Sequence, residues 1–159
     1  MELKFEVATR IARPVHEVFA AVADPAELSA YFTTGGAVGR LETGAMVQWA
    51  FAEFPETFPV EVVEVVQDDR IVLRWAASEG ASEVGDPAVD AGYLTTVTMT
   101  FQPLDDGART LVRIAEDGWR QTPAGLRASY GNCMGWSQML SALKAHVEYG
   151  INLRDGAYR

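Results

Sequence analysis

Apolar and polar residues alternate at the start of the chain, fall into a helical spacing, return to alternation for about eighty residues, and end in a long helical pattern. Residues 3–12 open with Leu3-Lys4-Phe5-Glu6-Val7, and this alternation predicts a half-buried strand. Arg13-Pro14 breaks it, and proline suits the first turn of a helix, where a missing N–H costs nothing. Val15, Val18, Phe19 and Val22 then recur at helical spacing, predicting a short amphipathic helix over residues 14–23. Asp24-Pro25 reads as a cap followed by a helix-starting proline, so a second short helix is expected from Pro25 to about Phe32.

Gly35-Gly36 ends that helix, and strands follow. They are expected at 37–41, 45–51, 57–67, 70–76, 92–103 and 109–116. Glu42-Thr43-Gly44, Asp68-Asp69 and Asp105-Asp106-Gly107 read as turns. Alternation places Val47, Trp49 and Phe51 on one face. It does the same for Ile71, Leu73 and Trp75, and for Tyr93, Thr95, Val97, Met99 and Phe101. Residues 77–91 hold Gly, Ser, Asp, Glu and Pro with few large apolar side chains, and read as a long flexible connection. Thr122-Pro123 starts the longest helical pattern, over residues 123–150, with Gly150 as its stop. Leu126, Tyr130, Cys133, Met134, Leu140, Leu143 and Val147 fall near one stripe. Gly125, Gly131 and Gly135 inside it each cost about 1 kcal/mol against Ala, which implies close packing, a bend, or room left for neighbouring Trp side chains.

The order is one strand, two short helices, about six strands and one long helix. Hairpin connections make the sheet antiparallel, and the final helix is the one element large enough to cover its apolar face. The expected class is α+β. No repeat or linker divides the chain, so residues 1–159 read as one domain.

Several stretches resemble the START and birch-pollen-allergen-like superfamily, SRPBCC, and within it the branch named for the activator of the heat-shock protein 90 ATPase. Ile11-Ala12-Arg13-Pro14-Val15-His16-Glu17-Val18-Phe19 resembles its first strand and helix, and Asp24-Pro25-Ala26-Glu27-Leu28 its second. Glu116-Asp117-Gly118-Trp119 is similar to the strand end before its last helix, and residues 135–144, Gly-Trp-Ser-Gln-Met-Leu-Ser-Ala-Leu-Lys, to that helix. The resemblance implies a helix-grip fold: a curved antiparallel sheet of about six or seven strands wrapped around a long C-terminal helix, with a cavity between them. It implies less about function, because this fold hosts lipid carriers, polyketide cyclases, plant defence proteins and chaperone accessories. The eukaryotic activator engages its chaperone through a separate N-terminal domain. The expectation here is that the helix-grip domain is the whole protein, which makes a chaperone partner doubtful.

Charge narrows the partners. The formal net charge is −9 over 159 residues, and no Lys/Arg cluster offsets it, so nucleic acid and anionic membrane surfaces are poor partners. No apolar run reaches the length of a membrane span, and the charged start Met1-Glu2-Leu3-Lys4 is unlike a secretory leader. The single Cys133 has no partner for an internal disulfide, and no Cys/His cluster has metal-ligand spacing. A cytoplasmic location is the default, and neither a metal nor a cofactor is expected.

The candidate site is the predicted inner surface. Trp49, Phe51, Phe58, Trp75, Tyr93, Met99, Phe101, Glu116, Trp119, Tyr130 and Met134, with Trp136, either fill the core or line a ligand cavity of roughly 300–1,000 Å³. Glu116 shares a strand face with Val112 and Ile114. If buried it would have a raised pKa, but the favoured expectation is that the strand ends there and Glu116 is solvated or pairs with Arg120. Arg74 and Arg113 are expected to face solvent, His16 to lie on the surface, and Cys133 to be a buried, inert thiol. Tyr31-Phe32 and Phe54 are expected to be exposed, as a partner surface, a homodimer contact or a cavity entrance. The leading function is binding of a small hydrophobic or amphipathic molecule. A cyclase- or hydrolase-type enzyme using Glu116 and Tyr130 is the alternative, and a chaperone accessory or stress-response protein comes third. No catalytic residue is assigned.

Overall fold

The structure is a computed structural model that describes residues 1–80 and 89–157. Seven strands form one antiparallel sheet: β1 (Lys4–Ile11), β2 (Gly36–Val38), β3 (Met46–Ala50), β4 (Thr57–Val66), β5 (Arg70–Glu79), β6 (Val89–Leu104) and β7 (Arg109–Asp117). Their order is β1-β7-β6-β5-β4-β3-β2. Neighbours in sequence are neighbours in space except β1, which pairs with β7 in the register Lys4↔Asp117 to Ile11↔Thr110. Helices α1 (Val15–Ala23) and α2 (Pro25–Tyr31) carry the chain from one sheet edge to the other, and α3 (Pro123–Tyr149) packs against the sheet. This is the expected helix-grip arrangement.

Local chemistry sets the helix ends. The Asp24 carboxylate accepts from Ala26 N at 2.9 Å and Pro25 occupies the first turn of α2. Thr122 caps α3 in the same way, its hydroxyl accepting from Gly125 N at 3.0 Å. Gly150 closes α3 at φ 67°, in the left-handed region where a Cβ is disfavoured. Gly125 answers to a close approach: a Cβ there would lie 2.0 Å from the Arg120 carbonyl oxygen.

The core is the inner sheet face closed by helices. Val47 and Trp49, Val60 and Val62, Ile71 and Leu73, Val97, Met99 and Phe101, and Val112 and Ile114 are all buried at alternate positions. Phe19 and Leu28 from the short helices and Trp136, Met139, Leu140 and Leu143 from α3 pack onto them. Arg74 is exposed, as expected, and the Arg113 side chain is 40% exposed beside Glu6.

Three expectations need correction. Strands β5 and β6 run further than their alternation suggests: residues 77–79 and 89–91 belong to them, and residues 81–88 lie outside the described residues. The small polar residues there pair edge to edge through backbone, which composition does not reveal. Tyr31 and Phe32 are buried rather than exposed; the Tyr31 hydroxyl donates to Ala21 O at 3.0 Å, which satisfies its polar tip inside the core. The first half of α3 turns Leu126, Tyr130 and Met134 outward, at 37%, 66% and 61% exposure, and buries Gly125 and Ser129 instead.

Among the described residues no helix is long and apolar enough to cross a membrane. The α2 cap yields a direct test. Asp24→Ala should lower the unfolding free energy by about 1 kcal/mol in urea denaturation, whereas Asp24→Ser should stay within a few tenths of wild type.

Candidate functional site

Strand β7 does not end at Glu116. It continues to Asp117, so alternation carries the Glu116 side chain inward behind Val112 and Ile114, where it is 1% exposed. Four side chains from three elements converge on the carboxylate. Trp75 of β5 donates its indole N–H to Oε2 at 3.0 Å, and Thr95 of β6 donates its hydroxyl to Oε2 at 2.6 Å. From α3, Trp136 donates its indole N–H to Oε1 at 2.8 Å. Asn132, one helical turn earlier, donates its amide N–H to both oxygens at 3.1 and 3.0 Å. Among the described residues no cation pairs with Glu116. Burial pushes its pKa above the ordinary carboxylate value, and the bonds from Thr95, Trp75, Trp136 and Asn132 pull against that rise. The expected Arg120 partner is engaged elsewhere: its guanidinium lies 4.4 Å from the centre of the Tyr93 ring.

Three of these donors also form the wall of a cavity of about 270 Å³ at the end of the sheet, beside the first half of α3. Phe32, Phe51, Phe54, Trp75 and Trp136 supply aromatic surface, and Glu53, Asn132, Gln138 and Arg154 supply polar groups. The rings are mutually packed: Trp75 and Trp136 lie 5.5 Å apart between centroids, Phe32 and Trp136 5.6 Å, and Phe32 and Phe51 5.2 Å. Arg154 crosses one end, pairing with Glu53 at 2.7 Å and standing 5.5 Å from the centres of both Phe32 and Phe51. Thr34 holds the other Glu53 oxygen at 3.0 Å. A second cavity of about 160 Å³, reaching Phe58 and Ser78, shares Phe51, Phe54, Trp75 and Asn132 with the first.

Gly131 and Gly135 line the same cavity from α3. Among the described residues, no atom outside the adjoining residues and the helix's own backbone lies within 4 Å of the place where a Cβ on either would sit. They differ in this from Gly125. They leave open space where any other side chain would intrude.

The predicted site residues therefore divide into groups. Phe51, Trp75 and Phe58 line the two cavities, and Glu116 sits behind their shared wall. Trp49 supports that wall from the core, 5.8 Å from Trp75 and 6.5 Å from Trp136. Met99 and Phe101 lie in the core, Phe101 edge-on to Phe19 at 5.1 Å, and Trp119 stacks on Phe5 at 5.5 Å. Tyr93 donates its hydroxyl to Glu79 and accepts from Arg120 N. Tyr130 and Met134 face outward. Of the residues expected in exposed loops, Phe54 alone is exposed, at 42%, and it borders the cavity.

Elsewhere, His16 is on the surface as expected, with 77% of its side chain exposed, while Cys133 is half-buried. His146 stacks on Tyr31 at 5.0 Å and shares a hydrogen bond with Glu27 at 2.6 Å. Among the described residues no group of three or more His, Cys, Asp or Glu is placed to hold a metal ion.

Sequence reasoning did not find Asn132, Gly131, Gly135, Glu53 or Arg154 as site residues. The available signal was the spacing of Asn132 and Trp136, four apart on one helix and each preceded by a glycine, opposite a strand that carries an inward carboxyl.

The family described as Activator of Hsp90 ATPase homolog 1-like protein matches residues 12–148, so the chain belongs to that family. A search of the curated proteins finds no match. Among solved structures, DynU16 of the dynemicin biosynthetic locus superposes with a TM-score of 0.75 at 21% identity, covering 94% of this chain and 49% of that one. MLL2253 from Mesorhizobium loti gives 0.73 at 22% identity, covering 94% and 99%. The Aha1 dimer from Colwellia psychrerythraea gives 0.69 at 16% identity, covering 92% and 97%. This chain thus spans about half of DynU16 and nearly all of the other two. At these identities the likeness is one of fold.

Two predictions follow from the geometry. Gly131→Ala and Gly135→Ala should each stabilise the protein by up to about 1 kcal/mol in urea denaturation, and Gly125→Ala should destabilise it despite the same gain in helix propensity. Glu116→Gln replaces one acceptor oxygen with an NH₂ that meets an indole N–H, leaving a buried donor unpaired at a cost of about 1–3 kcal/mol. Because the folded-state pKa of Glu116 is raised, the folded protein holds its proton to higher pH than the unfolded chain does. The resulting stabilisation is complete below the ordinary value of 4.5 and is lost as pH rises through the folded value. The stability gap between wild type and Glu116→Gln should therefore shrink as pH increases from about 4.5.

Proposed function

We propose that this member of the activator family binds a small hydrophobic or amphipathic molecule in the aromatic cavity between α3 and strands β3–β5. One observation carries the reading. Gly131 and Gly135 face the cavity with no described atom near their missing Cβ positions. Each gives up about 1 kcal/mol of helix stability against Ala, and Gly125 shows that this helix spends a glycine on close packing where packing requires it. Gly131 and Gly135 answer to no such close approach, and both line the cavity.

The wall chemistry suits such a guest. Five aromatic rings provide apolar contact, and a few fixed polar groups at one end provide orientation, which is the usual composition of a small-molecule site. A volume of about 270 Å³ suits a compact guest, near the lower end of such sites. The ring pairs Trp75–Trp136 and Phe32–Phe51 are already packed against one another, so little ordering cost remains for binding. A cyclase- or hydrolase-type reaction would need a titratable group within reach of the guest. Glu116 is enclosed by its four donors, and Glu53 is held by Arg154 and Thr34. Binding is therefore the reading we favour.

Native mass spectrometry of the purified protein should show a non-covalent adduct that disappears on denaturation. As a defined probe, anilinonaphthalenesulfonate should bind wild type saturably. Gly135→Leu, which fills the cavity from α3, should weaken that binding by tenfold or more while the melting temperature is kept or raised. Equal affinity for wild type and a folded Gly135→Leu would remove the cavity as the binding site.

A further inference from the structure

Asn132 has a hydrogen-bonding arrangement that the binding reading alone does not require. Both of its side-chain contacts run through the amide nitrogen, to Glu116 Oε1 and Oε2. Both Glu116 oxygens already accept from Trp75, Thr95 and Trp136, so as acceptors they hold the NH₂ toward themselves and disfavour the flipped amide, whose oxygen would face two acceptors at about 3 Å. The amide oxygen is consequently turned away from Glu116. Among the described residues nothing donates to it. Asn132 lies on the wall shared by the two cavities. Gly131 beside it and Gly135 one turn on add no side chain to the helix surface around it.

We infer that Asn132 Oδ1 is a fixed hydrogen-bond acceptor inside the aromatic cavity, selecting a compact planar apolar ligand that carries a hydroxyl or N–H donor. Glu116 is the positioning residue that sets the amide. The inference rests on the binding reading above and adds the chemistry of the guest. Trp75 and Trp136 donate to the same carboxylate, so the two indoles that flank Asn132 are held by the group that orients it. Their N–H groups point at Glu116, which leaves ring surface for the guest. The cavity then offers π-surface and one acceptor, and a ligand lacking a donor leaves that acceptor desolvated and unpaired, a penalty larger than the gain from a net hydrogen bond. Discrimination by a site built to hydrogen-bond its ligand follows the same logic in enzymes.

The test uses naphthol, its methyl ether and naphthalene, titrated by quenching of tryptophan fluorescence at neutral pH. Wild type should bind naphthol roughly 3- to 10-fold more tightly than the methyl ether, the factor expected of one neutral hydrogen bond, with naphthalene as the control for size. Asn132→Leu should show no preference for naphthol over its methyl ether, whatever its affinity for naphthalene. Glu116→Gln, which frees the amide to flip, should lower the preference ratio beyond any change in overall affinity. A general loss of stability would weaken all three probes together and leave the ratio unchanged. If wild type binds all three probes equally, or Asn132→Leu keeps the preference, the acceptor assignment is overturned while the binding cavity stands. If none of the probes binds wild type, the binding reading falls and this inference falls with it.

Discussion

A carboxylate buried without a cation organises this end of the protein. Removing Glu116 from water is costly unless its oxygens are filled by donors. The chain fills them with neutral groups from β5, β6 and α3 rather than with Lys or Arg. That choice determines much of what surrounds it. Two indoles must lie with their nitrogens toward one point, which fixes the planes of Trp75 and Trp136. An amide must present its nitrogen, which fixes Asn132. Alternation in β7 sets where the carboxylate enters, and a four-residue spacing sets which face of α3 meets it. The cavity wall is thus as rigid as the hydrogen-bonded cluster behind it.

This constraint also explains where sequence reading succeeded and where it failed. The order of elements, the caps at Asp24 and Thr122 and the stop at Gly150 were legible because each depends on neighbours within a few residues. The inner faces of β3, β5 and β6 were legible because apolar burial follows the period of a strand. The first half of α3 was misread for a physical reason. Its inner face complements a polar group, so it carries Ser129, Asn132 and small residues, while Tyr130 and Met134 lie outside. A rule that sends apolar residues inward inverts such a helix. Glu116 was misjudged for a related reason. Its partners lie 16 to 41 residues away in sequence, and none bears the opposite charge that pattern reading looks for.

Function was less legible than fold because the cavity is defined partly by side chains that are missing. Gly131 and Gly135 look, in sequence, like the same destabilising choice as Gly125. Only the structure separates a glycine pressed against a carbonyl from two that border open space. Arg154 and Glu53 meet across 101 residues, from the chain after α3 and the loop after β3, and local composition marks neither. Family membership narrows the fold and leaves the guest to be argued from these contacts.

The pairing of β1 with β7 has a consequence for how the protein is made. Strand β1 has no partner in the sheet until β7 has been synthesised, since Lys4 faces Asp117 across the ladder. Strands β2 to β7 can assemble by successive hairpins as they emerge, but β1 waits with its alternating apolar side chains uncovered. Closing so long a loop is entropically expensive and slow compared with local pairing. Until β7 has been made, β1 is thus an exposed strand edge and an aggregation hazard that the fold cannot yet hide.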